Sequence, residues 1–135
     1  MPPKIVIIDD EVHVRTLLEQ TLEELEEKQG VEIFSAPGGG KGLDLIKKER
    51  PSLVFLDVIM PDIDGFELCR LIKGDPQTAG IPVVLLTAKG QVADRQEGLA
   101  CGAADYLTKP FDPDQVLTLA KAFLGGRRRE SPSGA

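Results

Sequence analysis

The chain has no tryptophan, one histidine, one tyrosine and only two cysteines among its 135 residues. Each scarcity closes a class of function. A lone histidine, His13, and two cysteines without Cys-x-x-Cys spacing leave no ligand set for zinc or another soft metal. Cys69 and Cys101 fall in helix-like stretches and read as buried, reduced, small apolar residues. No uninterrupted apolar stretch approaches the roughly 20 residues of a membrane-spanning helix. Met1-Pro2-Pro3-Lys4 runs into the first strand without a signal-type apolar core, so a cytoplasmic protein with no membrane insertion is expected. Positive charge is scarce too: 16 Lys and Arg stand against 22 Asp and Glu, a formal net charge of -6. That balance argues against direct nucleic-acid binding, because phosphates attract a concentrated basic surface. A nucleotide loop is also missing. Gly38-Gly39-Gly40-Lys41-Gly42 lacks the hydroxyl residue after the lysine and the spacing of a P-loop, and reads as a flexible lead-in to a helix.

What is present is a regular alternation. Short apolar runs at Ile5 to Ile8, Val31 to Ser35, Leu53 to Leu56, Val83 to Leu86 and, more weakly, Ala104 to Leu107 are each separated by enough chain for a helix. Five strand-then-helix repeats predict one α/β domain with a parallel sheet covered on both faces. The first helix places Val14, Leu18, Leu22 and Leu25 on one face and leaves an acidic face of Glu19, Glu23, Glu24 and Glu27. A short second helix spans Gly42 to Glu49. The third opens with Asp64 and Glu67 in capping-box spacing and points Leu68, Leu71 and Ile72 inward. The last follows Asp112-Pro113 with an apolar stripe of Val116, Leu117, Ala120, Phe123 and Leu124. A helix over Gln91 to Cys101 is the weak one, because Gly90, Gly98 and Gly102 interrupt it at about 1 kcal/mol for each interior glycine. It is expected to be the most mobile helix. Gly125 to Ala135, with Arg127-Arg128-Arg129, reads as a disordered tail or the start of a linker.

The chemistry gathers at the ends of the strands. Asp57 closes the third apolar run, Asp9-Asp10 follows the first, Thr87 ends the fourth and Lys109-Pro110 follows the fifth. In a parallel sheet these ends share one edge, where open α/β sheets place their reactive groups. Each residue has a plain alternative: the acidic pair as a helix cap, Thr87 as a strand-end hydroxyl, Lys109 as a solvated charge. Their coincidence on four strands favours a joint site. Three neighbouring carboxylates repel unless a hard cation sits between them, which suits Mg²⁺ or Mn²⁺. Lys109 adds a compact positive charge and Thr87 a hydroxyl donor. Asp57 is then a nucleophile for phosphoryl transfer, forming an acyl phosphate. His13, by contrast, reads as a solvated residue near the start of a surface helix.

With Asp9-Asp10, Asp57, Met60-Pro61, Asp64-Gly65, Thr87-Ala88, Tyr106 and Lys109-Pro110-Phe111 in this order, the chain resembles the receiver domains of bacterial two-component response regulators. The resemblance runs from Lys4 to Leu124. It implies a flavodoxin-like, doubly wound five-stranded sheet of order 2-1-3-4-5, with residues 1–124 as the receiver and 125–135 outside it. It further implies that Asp57 takes phosphate from a histidine kinase or histidine phosphotransfer protein, and that Asp9, Asp10, Asp57 and the Ile59 carbonyl hold Mg²⁺. Lys109, Thr87 and the Ala88 amide would engage the phosphoryl group, and the Lys109-Pro110 peptide would be cis. Thr87 and Tyr106 would form the switch that alters the face built from the Gln91–Cys101 segment, the fifth strand and the last helix. Ile59 and Lys89 occupy positions that tune phosphate lifetime in that family. The output would be a downstream protein target or a fused effector. Two other functions fit less well: a Mg²⁺-dependent phosphohydrolase with an aspartyl-phosphate intermediate, and an adaptor that works without phosphorylation.

Overall fold

The computed structural model describes residues 2–88 and 100–125. Five strands, β1 (Lys4–Ile8), β2 (Glu32–Ala36), β3 (Leu53–Asp57), β4 (Val83–Ala88) and β5 (Asp105–Lys109), form one sheet in the order β2-β1-β3-β4-β5. All four pairings are parallel. Among the described residues four helices cover it: α1 (Val12–Gln29), α2 (Gly39–Glu49), α3 (Gly65–Gly74) and α4 (Pro113–Leu124). The expected class and strand order are therefore those of the folded chain.

Successive side chains of a strand point to opposite faces, and in this sheet both faces are covered. Ile5, Ile7, Leu53, Phe55, Val84 and Leu86 pack with Leu18, Leu22 and Leu25 of α1 and Val116 and Ala120 of α4. Val6, Ile8, Val54, Leu56, Val83 and Leu85 pack with Ile46 of α2 and Phe66, Leu68, Cys69 and Ile72 of α3. β3 is buried along its whole length, which is why its sequence is a continuous apolar run and not an alternation.

Several local features depart from the sequence reading. α2 begins at Gly39, three residues early, because the Asp62 carboxylate accepts hydrogen bonds from the Gly39 and Gly40 amides at 3.2 and 3.1 Å. The glycines are thus a capped first turn and not a loose lead-in. Leu71 does not point inward: it is 46% exposed, and the α3 contact is carried by Leu68, Cys69 and Ile72. The Asp64 half of the capping box is present, its carboxylate accepting from the Phe66 amide at 2.8 Å, but Glu67 pairs instead with Arg70 at 3.3 Å. In the last helix Val116 and Ala120 are buried, while Leu117, Phe123 and Leu124 are only partly so. Cys101 lies in a turn, not a helix. Both cysteines are buried thiols outside any disulfide, and burial, followed by hydrogen bonding to Cys101, pushes the Cys69 thiol up to about 12. A thiol so held is unreactive. The weak helix, apart from its last two residues, and the tail from Gly126 onward lie outside the described residues, so their expected mobility and disorder do too. Among the described residues no helix is long and apolar enough to cross a membrane.

Candidate phosphoryl-transfer site

Because every strand runs the same way, the carboxyl ends of β1, β3, β4 and β5 meet at one edge of the sheet. β1 delivers Asp9, which is fully buried, and then the exposed Asp10. β3 ends in Asp57, 4% exposed, and β5 ends in the partly buried Lys109, in register with Ala88 of β4. The Lys109 Nζ lies 3.1 Å from Asp57 Oδ1, 3.1 Å from Asp9 Oδ2 and 3.8 Å from Glu11 Oε1. One carboxylate oxygen from each of Asp9, Asp10 and Asp57 falls within 4.8 Å of the others. An open cleft of about 290 Å³ lies above them, lined by Asp10, Glu11, Asp57, Val58, Ile59, Leu86, Ala88 and Lys109.

The electrostatics follow from this crowding. Burial, then the charge of Asp9, raises the Asp57 carboxyl to about 6, with Lys109 and the Ile59 amide pulling the other way. For Lys109 burial disfavours the charged form, yet its hydrogen bond to Asp9 and the charges of Asp57 and Asp9 outweigh burial and raise its pKa. One ammonium does not neutralise the carboxylates around it. Asp9 Oδ1 accepts from the Glu11 amide at 2.9 Å, whereas the buried Asp9 Oδ2 has only the Lys109 ammonium against it, at 3.1 Å. A buried, under-satisfied carboxylate oxygen facing two further carboxylates fits a hard divalent cation with oxygen ligands. The donor set contains no nitrogen or sulfur that would select zinc.

Most of the residues singled out in the sequence do converge: Asp9, Asp10, Asp57, Ile59, Ala88 and Lys109 all lie at the cleft or its floor. The Ile59 amide lies 3.4 Å from Asp57 Oδ1, while its side chain is 71% exposed at the rim. Thr87 is different. Its buried hydroxyl donates to the Leu107 carbonyl on β5 at 3.4 Å, and Thr87 does not line the cleft. Tyr106, two strand positions from Thr108, the register partner of Thr87, is partly buried against the side of the sheet covered by α2 and α3. The Lys109-Pro110 peptide is cis. His13 is exposed, and Lys89 lies outside the described residues. Two contributors escaped the sequence reading. Glu11 reaches Lys109, and Arg15 donates to the Asp9 carbonyl at 2.7 Å. The run Asp9-Asp10-Glu11 was the available sign of the first; nothing local marks the second.

The model of the response regulator receiver domain matches residues 5–121. The chain belongs to the response regulator receiver family. Among related proteins, the receiver is 41% identical over 122 residues to the DNA-binding dual master transcriptional regulator RpaA of Synechocystis sp., a match covering 90% of this chain and 49% of RpaA. It spans about half the length of the curated relatives it matches. Among solved structures, a response regulator of Chloroflexus aurantiacus superposes with a TM-score of 0.84 at 34% identity, covering 93% of this chain and 99% of that one. The BeF3-activated DrrB receiver domain gives a TM-score of 0.81 at 32% identity, covering 93% and 99%. The receiver domain is thus a component of two-component signalling.

Proposed function

We propose that this receiver is a phosphorylation-dependent switch whose acceptor is Asp57. The observation that carries the reading is the Asp57 carboxylate at the floor of an open cleft, with Lys109 Nζ 3.1 Å away and two further aspartates beside it. An Asp57 oxygen attacks the phosphorus of a phosphohistidine on a histidine kinase or histidine phosphotransfer protein. The new O–P bond forms as the N–P bond breaks, and the electron pair returns to the imidazole. Lys109 and the Ala88 amide steady the phosphoryl oxygens. A Mg²⁺ or Mn²⁺ ion held by Asp9, Asp10, Asp57 and the Ile59 carbonyl would supply the remaining positive charge. Thr87 must leave the Leu107 carbonyl to reach the phosphoryl group, and Tyr106 on the same strand as Leu107 follows it inward. The receiver unit is residues 1–124, and its acidic charge favours a protein partner over direct contact with nucleic acid.

The test is intact-mass spectrometry after incubation with a small-molecule phosphodonor and Mg²⁺. The wild-type chain gains one phosphoryl group; a chelator or Asp57→Asn prevents it. No adduct and no consumption of the donor would favour an adaptor that works without phosphorylation, and rapid repeated turnover a phosphohydrolase.

The exposed Ile59 side chain at the rim of the cleft limits water access to the acyl phosphate. Ile59→Asn is expected to shorten the half-life of phosphorylated Asp57 about threefold or more, measured as loss of the mass adduct with time. An unchanged or longer half-life would remove the shielding role.

A further inference from the structure

The glycines at the start of α2, Gly38 at its cap and Gly39 and Gly40 in its first turn, have a partner outside the phosphoryl-transfer site. Asp62, in the segment between β3 and α3, spans Gly39 and Gly40 with both carboxylate oxygens, at 3.2 and 3.1 Å. These bonds hold its carboxyl below the ordinary carboxylate range. The next residue, Ile63, sets its Cγ2 where a Cβ on Gly39 would stand. Any side chain larger than hydrogen at residue 39 would push Ile63 away. A charged contact and an apolar contact therefore fasten one short stretch of the β3–α3 connection onto one helical turn. The same connection is closed at its base, where the Gly65 amide donates to the Val58 carbonyl at 2.7 Å. Between the two fastenings lies Ile59, whose amide faces Asp57 Oδ1 and whose side chain forms part of the cleft.

We infer that Asp62 and Ile63, docked on Gly39 and Gly40, act as a clasp that positions the residue 58–64 connection over the phosphoryl-transfer site. They are positioning residues: neither lines the cleft. The clasp acts by keeping the connection in the arrangement that presents Ile59 to Asp57, so that less of the population must be drawn into that arrangement on binding. It also ties the site to the N-terminus of α2, 18 residues before Asp57 in the chain. The inference rests on the proposed Asp57 site and concerns how its rim is held.

The experiment measures Mg²⁺ affinity by calorimetry, the half-life of the phosphoryl adduct by intact mass, and the melting temperature, for the wild-type 135-residue chain, Asp62→Ala, Asp62→Asn and the exposed control Asp44→Ala. Asp62→Ala is expected to weaken Mg²⁺ about fivefold and to shorten the adduct half-life. Asp62→Asn retains a side-chain acceptor and recovers most of both, and Asp44→Ala changes neither. A second pair guards against simple unfolding: Gly39→Ala lowers Mg²⁺ affinity, and Gly39→Ala with Ile63→Ala, which empties the crowded space, lowers it less. Asp62→Ala with a reduced melting temperature but unchanged Mg²⁺ affinity and half-life would overturn the clasp and leave an ordinary helix cap. A wild-type chain that binds Mg²⁺ but takes no phosphoryl group would overturn the proposed function, and the Mg²⁺ affinities alone would then decide the clasp. A wild-type chain that binds no Mg²⁺ overturns both.

Discussion

Asp57→Asn is expected to remove phosphoryl acceptance completely and, in the metal-free chain, to make the fold more stable. The second effect follows from the direction of the Asp57 shift. Its carboxyl rises from an ordinary value near 3.8 to about 6 in the folded chain, because burial and Asp9 oppose its charge. The native state therefore binds the proton more tightly than the unfolded state. Stability from this group is fully present below the unfolded value, falls as pH rises between the two values, and is gone above about pH 6. A shift of about two units corresponds to about 3 kcal/mol at most. Asparagine has no charge to bury, so the variant should match wild type in acid and exceed it by up to that amount at about pH 8. Urea unfolding followed by circular dichroism, with a chelator present, measures the difference without needing tryptophan. Added Mg²⁺ should narrow or reverse the gap, since a ligand stabilises the state that binds it. A variant less stable than wild type at about pH 8 without metal would mean that Asp57 is held by favourable contacts, not crowded by unfavourable ones.

Gly65→Ala is expected to be among the most damaging single-methyl additions in the molecule. A Cβ at this position would overlap the Asp57 carbonyl oxygen and stand 2.6 Å from the Val58 Cα. Both obstacles are main chain, leaving no side chain to swing aside. α3 would have to lift from the end of β3, breaking the 2.7 Å bond from Gly65 to the Val58 carbonyl. Overpacking of this kind costs on the order of 3 kcal/mol or more. The urea midpoint should fall accordingly, and phosphoryl acceptance should fall with it, because the backbone that moves carries Asp57. A change within about 0.5 kcal/mol would show that the helix start yields more readily than the geometry implies.

The architecture was legible because its signals are cumulative. Five apolar runs separated by helical spacing leave little choice but a parallel sheet, and Leu18, Leu22 and Leu25 are buried as their period requires. The site was legible through coincidence, since Asp9, Asp57 and Lys109 mean little singly and meet only because parallel strands end together. Contacts between segments distant in sequence were not legible. Nothing in Gly38-Gly39-Gly40 names Asp62 as its cap, and nothing in Gly65 distinguishes a turn glycine from one that touches the main chain of β3. Leu71 failed for a related reason. It satisfies the helical period, but α3 is short and its stripe is filled by Cys69, which a pattern of large apolar residues passes over. The hydroxyl of Thr87 depends on which of two neighbours it faces, a choice that strand patterns do not record.

The two-sided packing of the sheet also makes it a partition. Leu53 and Phe55 touch only the compartment under α1 and α4, while Val54 and Leu56 touch only the one under α2 and α3. Neighbouring residues of one strand thus report to opposite halves of the molecule, and among the described residues the two halves form separate clusters of buried side chains. The crossing points are the connections that fold over the ends of the strands. At the carboxyl edge those connections surround Asp57, so an event there can be felt in both compartments at once, from a position where neither core need be disturbed.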